Sequence, residues 1–202
     1  MHFRPLHSLV LSLGFFLATV IPVFAGEPTQ QMKQTTEKIL SVLSNPDLKD
    51  PGKAPERKKQ FSQILDERFD WEELSRRSLA RHWVERTPQE KKEFVPLYRD
   101  LLERTYLEKV DDYSGETVRY EGETLDGEYA IVKVKIQTKS KREIPVEYRM
   151  LKKGTTWRVY DISIEGVSLV NNYRQQFSSM LQKSTFQEVL KKLREKSSFE
   201  NP

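Results

Sequence analysis

The side chains that could carry out chemistry are few, and His82 is the first to consider. The other two histidines lie within the first seven residues, and the chain has no cysteine. A zinc site needs several nitrogen or sulfur ligands, so one histidine beside Trp83 does not predict a metal site. A Ser–His–acid triad can be drawn around His82, but no nucleophile-elbow motif supports it. A structural role for His82 is the interpretation that we favour.

Asp161 and Glu165 are the second candidate, because two nearby carboxylates can act as the acid and base of glycoside hydrolysis. The alternative is that both side chains bond to backbone groups at a turn and cap the following helix, and we favour this alternative. The sequence also lacks a glycine-rich phosphate loop. Arg158, Arg174 and the Lys191-Lys192 pair are typical of solvated charges. No activated nucleophile is visible, so the sequence does not predict an enzyme.

The segment that must position both carboxylates runs from Trp157 to Phe177. Its first half alternates like a strand, with Trp157, Val159 and Asp161 on one predicted face. The other predicted face consists of Arg158, Tyr160, Ile162 and Ile164. Glu165-Gly166 ends the strand, and Ser168 predicts a helix N-cap because its hydroxyl can accept from a backbone N–H of the first turn. Helical spacing then recurs at Val170, Tyr173, Phe177, Met180 and Leu181.

Helical spacing precedes strand spacing along the rest of the chain. Helices are predicted over Thr29–Leu43, over Arg57–Phe69, from Asp70 toward Trp83, and after Thr87, where Pro96 predicts a kink. Strands with short connections follow over Thr117–Glu121, Tyr129–Thr138, Pro145–Leu151 and Trp157–Ile164, and Ser184–Gln187 begins a last helix. This order predicts an α+β fold, with a four-stranded antiparallel sheet packed against several helices.

The first 25 residues have the composition of a signal peptide. Arg4 precedes an apolar run, Leu9 to Val20, that is short for a membrane span, and Val23-Phe24-Ala25 suits a signal peptidase. We expect residues 1–25 to be cleaved, residues 26–196 to form one domain, and residues 197–202 to be a disordered tail. Cleavage leaves 33 basic and 30 acidic side chains, a balance too weak to predict nucleic-acid binding. The predicted location is the periplasm.

The aromatic content is the informative feature of the composition. The chain has 10 Phe, 8 Tyr and 3 Trp among 32% charged residues. This combination predicts a strongly apolar interior within a charged shell. The helices and the sheet could close on each other as an ordinary core, or they could leave a slot between them. The residues alone do not separate these two structures.

The segment from Asp161 to Phe177, DISIEGVSLVNNYRQQF, resembles the signature of the MlaC-type periplasmic phospholipid-carrier family, also called toluene-tolerance auxiliary proteins. The resemblance extends over nearly all of the chain after residue 25. Further matching segments are Phe69-Asp70, Leu79–Trp83, Thr87-Pro88, Phe94-Val95, Leu101-Leu102, Thr105-Tyr106 and Pro145–Tyr148. Ala80 is a departure, because the family pattern has glycine there.

The resemblance implies a cystatin- or NTF2-like fold with an apolar cavity between sheet and helices, and it favours the slot over the closed core. It implies a lipid carrier that binds phospholipid, uses no cofactor or metal, and catalyses no reaction. Its implied partners are an inner-membrane ABC transporter complex and an outer-membrane lipoprotein complex, in the maintenance of outer-membrane lipid asymmetry and solvent tolerance. We expect a monomer that does not bind nucleic acid.

The residues expected to contact the lipid tails come from three parts of the chain. The helix after Thr87 contributes Phe94, Tyr98, Leu101, Leu102 and Tyr106. The strands contribute Val132, Val134, Val146, Tyr148 and Val159. The segment around Ser168 contributes Val167, Val170, Tyr173 and Phe177. The alternatives are an exported protein for another apolar ligand such as an isoprenoid, a hydrolase, and a structural adaptor that purifies without lipid.

Overall fold

The computed structural model describes residues 26–111 and 115–195. The expected signal peptide and disordered tail lie outside these described residues. The helices are α1 (Glu27–Ser44), α2 (Ala54–Arg68), α3 (Trp71–Leu79), α4 (Arg81–Val84), α5 (Pro88–Asp111), α6 (Leu169–Leu181) and α7 (Phe186–Arg194), with 3₁₀ turns at Pro46–Leu48 and Pro51–Lys53. The strands are β1 (Thr117–Asp126), β2 (Tyr129–Gln137), β3 (Glu143–Lys153), β4 (Thr156–Ile164) and β5 (Val167–Ser168).

The helix starts that the sequence signals predicted are confirmed. Ser168 accepts a hydrogen bond from the Asn171 backbone N–H at 3.1 Å and caps α6. Thr185 begins α7 in a reciprocal capping box with Glu188. These caps satisfy backbone N–H groups that have no partner within the helix, so they place the helix starts at these residues.

The segment predicted as one helix from Asp70 toward Trp83 is broken at Ala80. Ala80 separates α3 from α4 with φ 48° and ψ −120°. A side chain makes this region of backbone conformation unfavourable, whereas glycine enters it readily. The geometry therefore explains why a glycine suits this position. By contrast, α5 is a single helix that continues through Pro96.

The sheet has five antiparallel strands in the order β1-β2-β3-β4-β5, so the prediction of four strands was one short. The missed strand, β5, has two residues and pairs Ser168 with Ser163 and Val167 with Ile164. Two residues carry no recognisable alternation, which is why the sequence pattern could not predict this strand. The α+β class itself is confirmed.

A bulge in β4 corrects the predicted faces of that strand. Asp161 pairs with Arg149, but the next pair along is Val159 with Met150, so Tyr160 is an extra residue in β4. An extra residue shifts the alternation by one position. Trp157 and Val159 consequently share a face with Ile162 and Ile164, in the same apolar cluster, while Asp161 faces the other way. The prediction that Trp157, Val159 and Asp161 share one face was therefore wrong.

Candidate functional site

One face of the sheet is apolar across four strands, and we call it the inner face. It consists of Val118, Tyr120, Ala130, Val132, Val134, Ile136, Ile144, Val146, Tyr148, Met150, Trp157, Val159, Ile162 and Ile164. The opposite face of the same strands carries paired charges, among them Lys135 with Glu121 at 3.1 Å and with Glu143 at 3.2 Å. Over β1 to β3 this is the alternation of a sheet with one buried and one solvated face, whereas on β4 the opposite face carries the buried residues Asp161 and Ser163.

The cover over the inner face is thin among the described residues. The apolar side chains from outside the sheet that belong to this cluster there are Met32 of α1 and Phe69. Yet Val132, Val134, Val146 and Val159 are all at most 4% exposed. The inner face is therefore a broad, buried apolar wall, and two described side chains from outside the sheet pack on it.

Helix α1 is fixed to the sheet by polar contacts as well as by the buried side chain of Met32. Thr36 shares a 2.7 Å hydrogen bond with the Tyr120 hydroxyl, and the Gln31 side chain accepts from the Trp157 backbone N–H at 2.9 Å. Buried Arg68 donates to Thr35 at 2.9 Å and to Gln31 at 2.7 Å, and desolvation lowers its pKa. These bonds fix the position of α1 along the sheet.

The helices have a core of their own, which we call the helix cluster. Its buried members are Leu74, Leu79, Trp83, Phe94, Tyr98, Leu101, Leu102, Val170, Tyr173, Phe177, Phe186, Val189, Leu190 and Leu193. Aromatic rings form its centre: the Tyr98 and Phe177 rings meet edge to face with centroids 5.2 Å apart, and Tyr98 and Tyr173 do so at 5.3 Å. Such edge-to-face pairs stabilise a core beyond their area of contact.

The structure divides the expected tail-contacting residues between these two clusters. Val132, Val134, Val146, Tyr148 and Val159 lie in the inner face. The residues of α5 and α6, which are Phe94, Tyr98, Leu101, Leu102, Val170, Tyr173 and Phe177, are buried in the helix cluster, and Tyr106 packs against it. Val167 is 48% exposed and belongs to neither cluster. The expected residues thus form two apolar walls and not one continuous lining.

Phe69 is the residue that connects the two clusters. It packs against both of them, and its ring stacks on Trp71 with centroids 4.9 Å apart. Its backbone forms a parallel bridge with Val159, and the next backbone N–H, of Asp70, donates to the Val159 carbonyl at 2.9 Å. Phe69 therefore fixes the junction between α2 and α3 at the boundary of the inner face.

Three tyrosine hydroxyls lie in these apolar surroundings. Burial raises the pKa of Tyr148 and of Tyr106 above the ordinary tyrosine value. Burial also raises the pKa of Tyr98, although its hydroxyl is 3.0 Å from the Ser78 hydroxyl and forms a hydrogen bond with it. All three side chains therefore stay neutral at physiological pH, and they add no charge to either apolar wall.

The residues considered for catalysis do not form a reactive group. Asp161 accepts from the Ser168 hydroxyl at 2.7 Å and from the Val170 backbone N–H at 3.1 Å, while Glu165 pairs with Arg142 at 2.6 Å. His82 lies 3.8 Å from Glu85. Within residues 26–111 and 115–195, no three His, Cys, Asp or Glu side chains cluster in a way that could hold a metal ion.

Several residues of the inner face were not among the expected site residues. Ala130 and Ile136 continue the alternation of Val132 and Val134, so the strand pattern could have identified them. Met150 and Trp157 likewise continue the alternation of Tyr148 and Val159, whereas Ile162 and Ile164 share this face only because of the bulge in β4, which no sequence signal marks. Met32 and Phe69 come from helical segments, and only the tertiary packing brings them to the sheet.

A surface cleft of about 360 Å³ lies at the start of β2. Its lining includes Arg77, Thr124, Asp126, Tyr129 and Tyr160. The Arg77 guanidinium stacks on the Tyr160 ring at 3.9 Å from its centroid and donates to Glu73 at 2.6 Å. Ala130 and Ile131 also line the cleft, so polar, charged and apolar groups meet there.

Comparison with known proteins adds a family and a fold. A family model described as MlaC protein matches residues 33–195. A solved structure of a phospholipid-binding protein from Ralstonia solanacearum, determined in complex with a phospholipid, matches with a TM-score of 0.75. The two chains are 24% identical, and the match covers 82% of this chain and 94% of that one. At this identity the likeness to the solved structure establishes a common fold. No helix in the part of the chain that the structure describes is long and apolar enough to cross a membrane.

Proposed function

The chain belongs to the MlaC family, and from this premise we propose that it is an exported phospholipid carrier. It holds the acyl chains of one lipid against the inner face and shuttles that lipid between an outer-membrane lipoprotein complex and an inner-membrane ABC transporter complex. The phospholipid in the Ralstonia solanacearum protein, which has the same fold, supports the ligand class.

The observation that carries the proposal is the broad apolar inner face of the sheet. Fourteen apolar side chains line it, and Met32 and Phe69 are the described residues that pack on it from outside the sheet. Helix α5 packs on α3, α6 and α7. The sheet and the helices have separate apolar clusters, so we propose that they can move apart far enough to admit hydrocarbon chains between them.

The energy of moving a lipid through water explains why such a wall is needed. Each buried CH₂ group contributes about 0.8 kcal/mol, so two chains with roughly 30 such groups cost on the order of 20 kcal/mol or more when exposed. An apolar wall replaces the membrane as their solvent, while the charged head group stays at the mouth of the cavity and keeps its water. Binding of this kind needs no covalent step, and we assign the protein no catalytic residue, metal or cofactor.

The tail-contacting set that we propose combines the two walls. The sheet contributes Val132, Val134, Val146, Tyr148 and Val159, which share the inner face. The α5 and α6 residues Phe94, Tyr98, Leu101, Leu102, Tyr106, Val170, Tyr173 and Phe177 form the second wall of this proposal, and Val167 lies at an exposed edge. The sheet wall is the primary surface in this proposal, because the helix wall already packs its aromatic rings on one another.

Export follows from the sequence of the first 25 residues. We propose that a signal peptidase cleaves after Ala25, that residues 26–196 fold as one periplasmic domain, and that residues 197–202 form a disordered tail. The carrier acts as a monomer and binds no nucleic acid.

Extraction of the purified protein with organic solvent, followed by mass spectrometry, tests the proposal. Protein purified from the periplasm without detergent should release glycerophospholipid at about one lipid per chain. Release of an isoprenoid or another apolar molecule would support the alternative ligand class. Protein that releases no lipid and takes up none from phospholipid vesicles would show that the carrier assignment is wrong.

A further inference from the structure

Glu123 of β1 reaches across to the first turn of α1. Its Oε2 atom accepts hydrogen bonds from the Thr29 backbone N–H at 2.9 Å and from the Thr29 hydroxyl at 2.6 Å. A bulge between Tyr120 and Gly122 turns Glu123 toward the face that α1 covers. A carboxylate from a strand that is distant in the sequence thus caps the N-terminus of α1, where Gly26 itself provides no side-chain cap.

The other carboxylate oxygen of Glu123 faces Gly26. A side-chain carbon built on Gly26 would overlap Oε1 and would lie 2.7 Å from the Glu123 carboxyl carbon. The Gly26 carbonyl accepts from the Gln30 N–H at 3.0 Å, so the first helical turn fixes the position of this residue. The Gly26 nitrogen, one bond of about 1.46 Å from its Cα, is therefore within a few ångströms of the carboxylate.

Gly26 is also the residue that the cleavage pattern Val23-Phe24-Ala25 makes the new N-terminus. Cleavage replaces an uncharged peptide N–H by an ammonium group with three donors. A positive charge at the start of a helix is unfavourable, because the N-terminal end of the helix dipole is itself positive. The Glu123 carboxylate lies where it can neutralise both the ammonium group and the positive end of the helix dipole.

We propose that Glu123 is a binding site for the protein's own mature N-terminus, and that the ion pair between the Gly26 ammonium and Glu123 forms only when the signal peptide is removed. The inference rests on the cleavage site given under the proposed function. The pair fastens the N-terminal end of α1 to β1, while Gln31 fastens the next turn to Trp157 of β4. Processing thereby adds an ion pair to the contacts that hold α1 across the inner face, against which the lipid tails are proposed to lie.

Glycine at position 26 allows this close approach without any adjustment. A side chain there would meet the Glu123 carboxylate, which would have to move away from its present position. Glu121, two residues earlier in β1, is the matched control. It is exposed on the charged outer face and pairs there with Lys135 at 3.1 Å.

The test is a double-mutant cycle on mature protein whose N-terminus has been confirmed as Gly26 by intact mass. Acetylation of the N-terminus restores the uncharged state of the precursor. It should raise the unfolding equilibrium constant about two- to fivefold when Glu123 is present, and should have no such effect in Glu123→Gln. The Glu121→Gln protein should respond to acetylation as the unmodified sequence does. An equal effect of acetylation with Glu123 and with Glu123→Gln would overturn the proposal, as would an N-terminus at another residue.

A second readout covers the case in which Glu123→Gln does not fold. The pKa of the Gly26 amino group, followed by NMR in the unmodified mature protein, should lie above the ordinary value of about 8 for an N-terminus. One extra alanine before Gly26 moves the ammonium away and should restore the ordinary value. A pKa at or below 8 in the unmodified protein would contradict the ion pair. Loss of lipid binding with this coupling intact would count against the carrier function alone.

Discussion

Val134 of β2 and Val146 of β3 are direct partners across the sheet, and their side chains meet on the inner face with 1% and 4% of their surface exposed. They lie near the middle of the apolar wall, at the same level as Ile164 of β4. If lipid tails run along this wall, a larger side chain here competes with them directly.

We expect Val134→Trp to reduce bound phospholipid several-fold while changing the melting temperature of the delipidated protein little. In a closed core the same change would overpack the interior and cost about 1–3 kcal/mol of stability. Delipidated protein is essential for the comparison, because a bound ligand raises apparent stability. The control is Lys133→Trp, which puts the same ring on the exposed face of the same strand. Strong destabilisation by Val134→Trp with unchanged lipid content would place Val134 in a closed core.

His82→Ala should leave lipid transfer between vesicles within about twofold of the unmodified protein. A carrier uses no general base, whereas loss of one from a hydrolase lowers the rate by about 10²- to 10⁴-fold. The measurement is fluorescent-lipid transfer, with circular dichroism to establish that the variant is folded. Abolished transfer by a folded His82→Ala protein would revive the enzyme hypothesis.

Asp161→Asn should lower stability without abolishing lipid transfer. Asp161 is 4% exposed and accepts from Ser168 and from the Val170 N–H. An amide keeps one acceptor oxygen but loses the charge, so we expect a loss of about 1–3 kcal/mol in the free energy of unfolding. Urea denaturation measures this loss. A folded Asp161→Asn protein that has lost all transfer would give the carboxylate a functional role that the account does not contain.

Ala80→Gly should stabilise the protein by about 1 kcal/mol, because Ala80 has φ 48° and ψ −120° and glycine adopts this conformation without strain. The matched control is Gln63→Gly on the exposed side of α2, which should cost up to about 1 kcal/mol because glycine disfavours a regular helix. Urea denaturation of both variants gives the comparison. The same sign of change in both would show that Ala80 is not strained.

Glu73 should make the protein more stable above pH 4.5 than below it. Burial works against its charged form, but hydrogen bonds from Arg76 and Arg77, both at 2.6 Å, outweigh burial and lower the pKa of Glu73 below the ordinary 4.5. A depressed pKa stabilises the fold above the unfolded value, and this contribution is lost as the pH falls from 4.5 through the folded value.

The Glu73 contribution is measured as the free energy of unfolding in urea at a series of pH values. Glu73→Gln should flatten the profile below pH 4.5 relative to the unmodified protein. Glu72→Gln, at the exposed neighbouring position, should leave the profile unchanged. If the free energy of unfolding changed with pH in the same way in the unmodified protein and in Glu73→Gln, Glu73 would not contribute to the loss of stability in acid.

Local chemistry explains which parts of the fold the sequence predicts well. The starts of α6 and α7 depend on Ser168 and Thr185 bonding to backbone groups three residues away, and such signals are legible in the sequence. The alternation of Val132 and Val134 likewise predicts the buried face of β2 correctly.

Pairing between distant segments explains what the sequence does not predict. The bulge at Tyr160 arises from the register between β3 and β4, and it moves Asp161 to the opposite face from Val159. The bridge between Phe69 and Val159 joins residues 90 positions apart, and a helical pattern gives no sign of it. The division of the expected site into two walls is a result of helix packing, which period alone cannot specify.

Photo-crosslinking tests most directly whether the acyl chains lie against the inner face. The probe is a phospholipid with a diazirine near the middle of one acyl chain, loaded into delipidated protein, irradiated and mapped by mass spectrometry of peptides. We expect crosslinks within β2 and β3 at inner-face residues such as Val134, Val146 and Tyr148. Crosslinks confined to the charged face or to the cleft beside Tyr160 would contradict it.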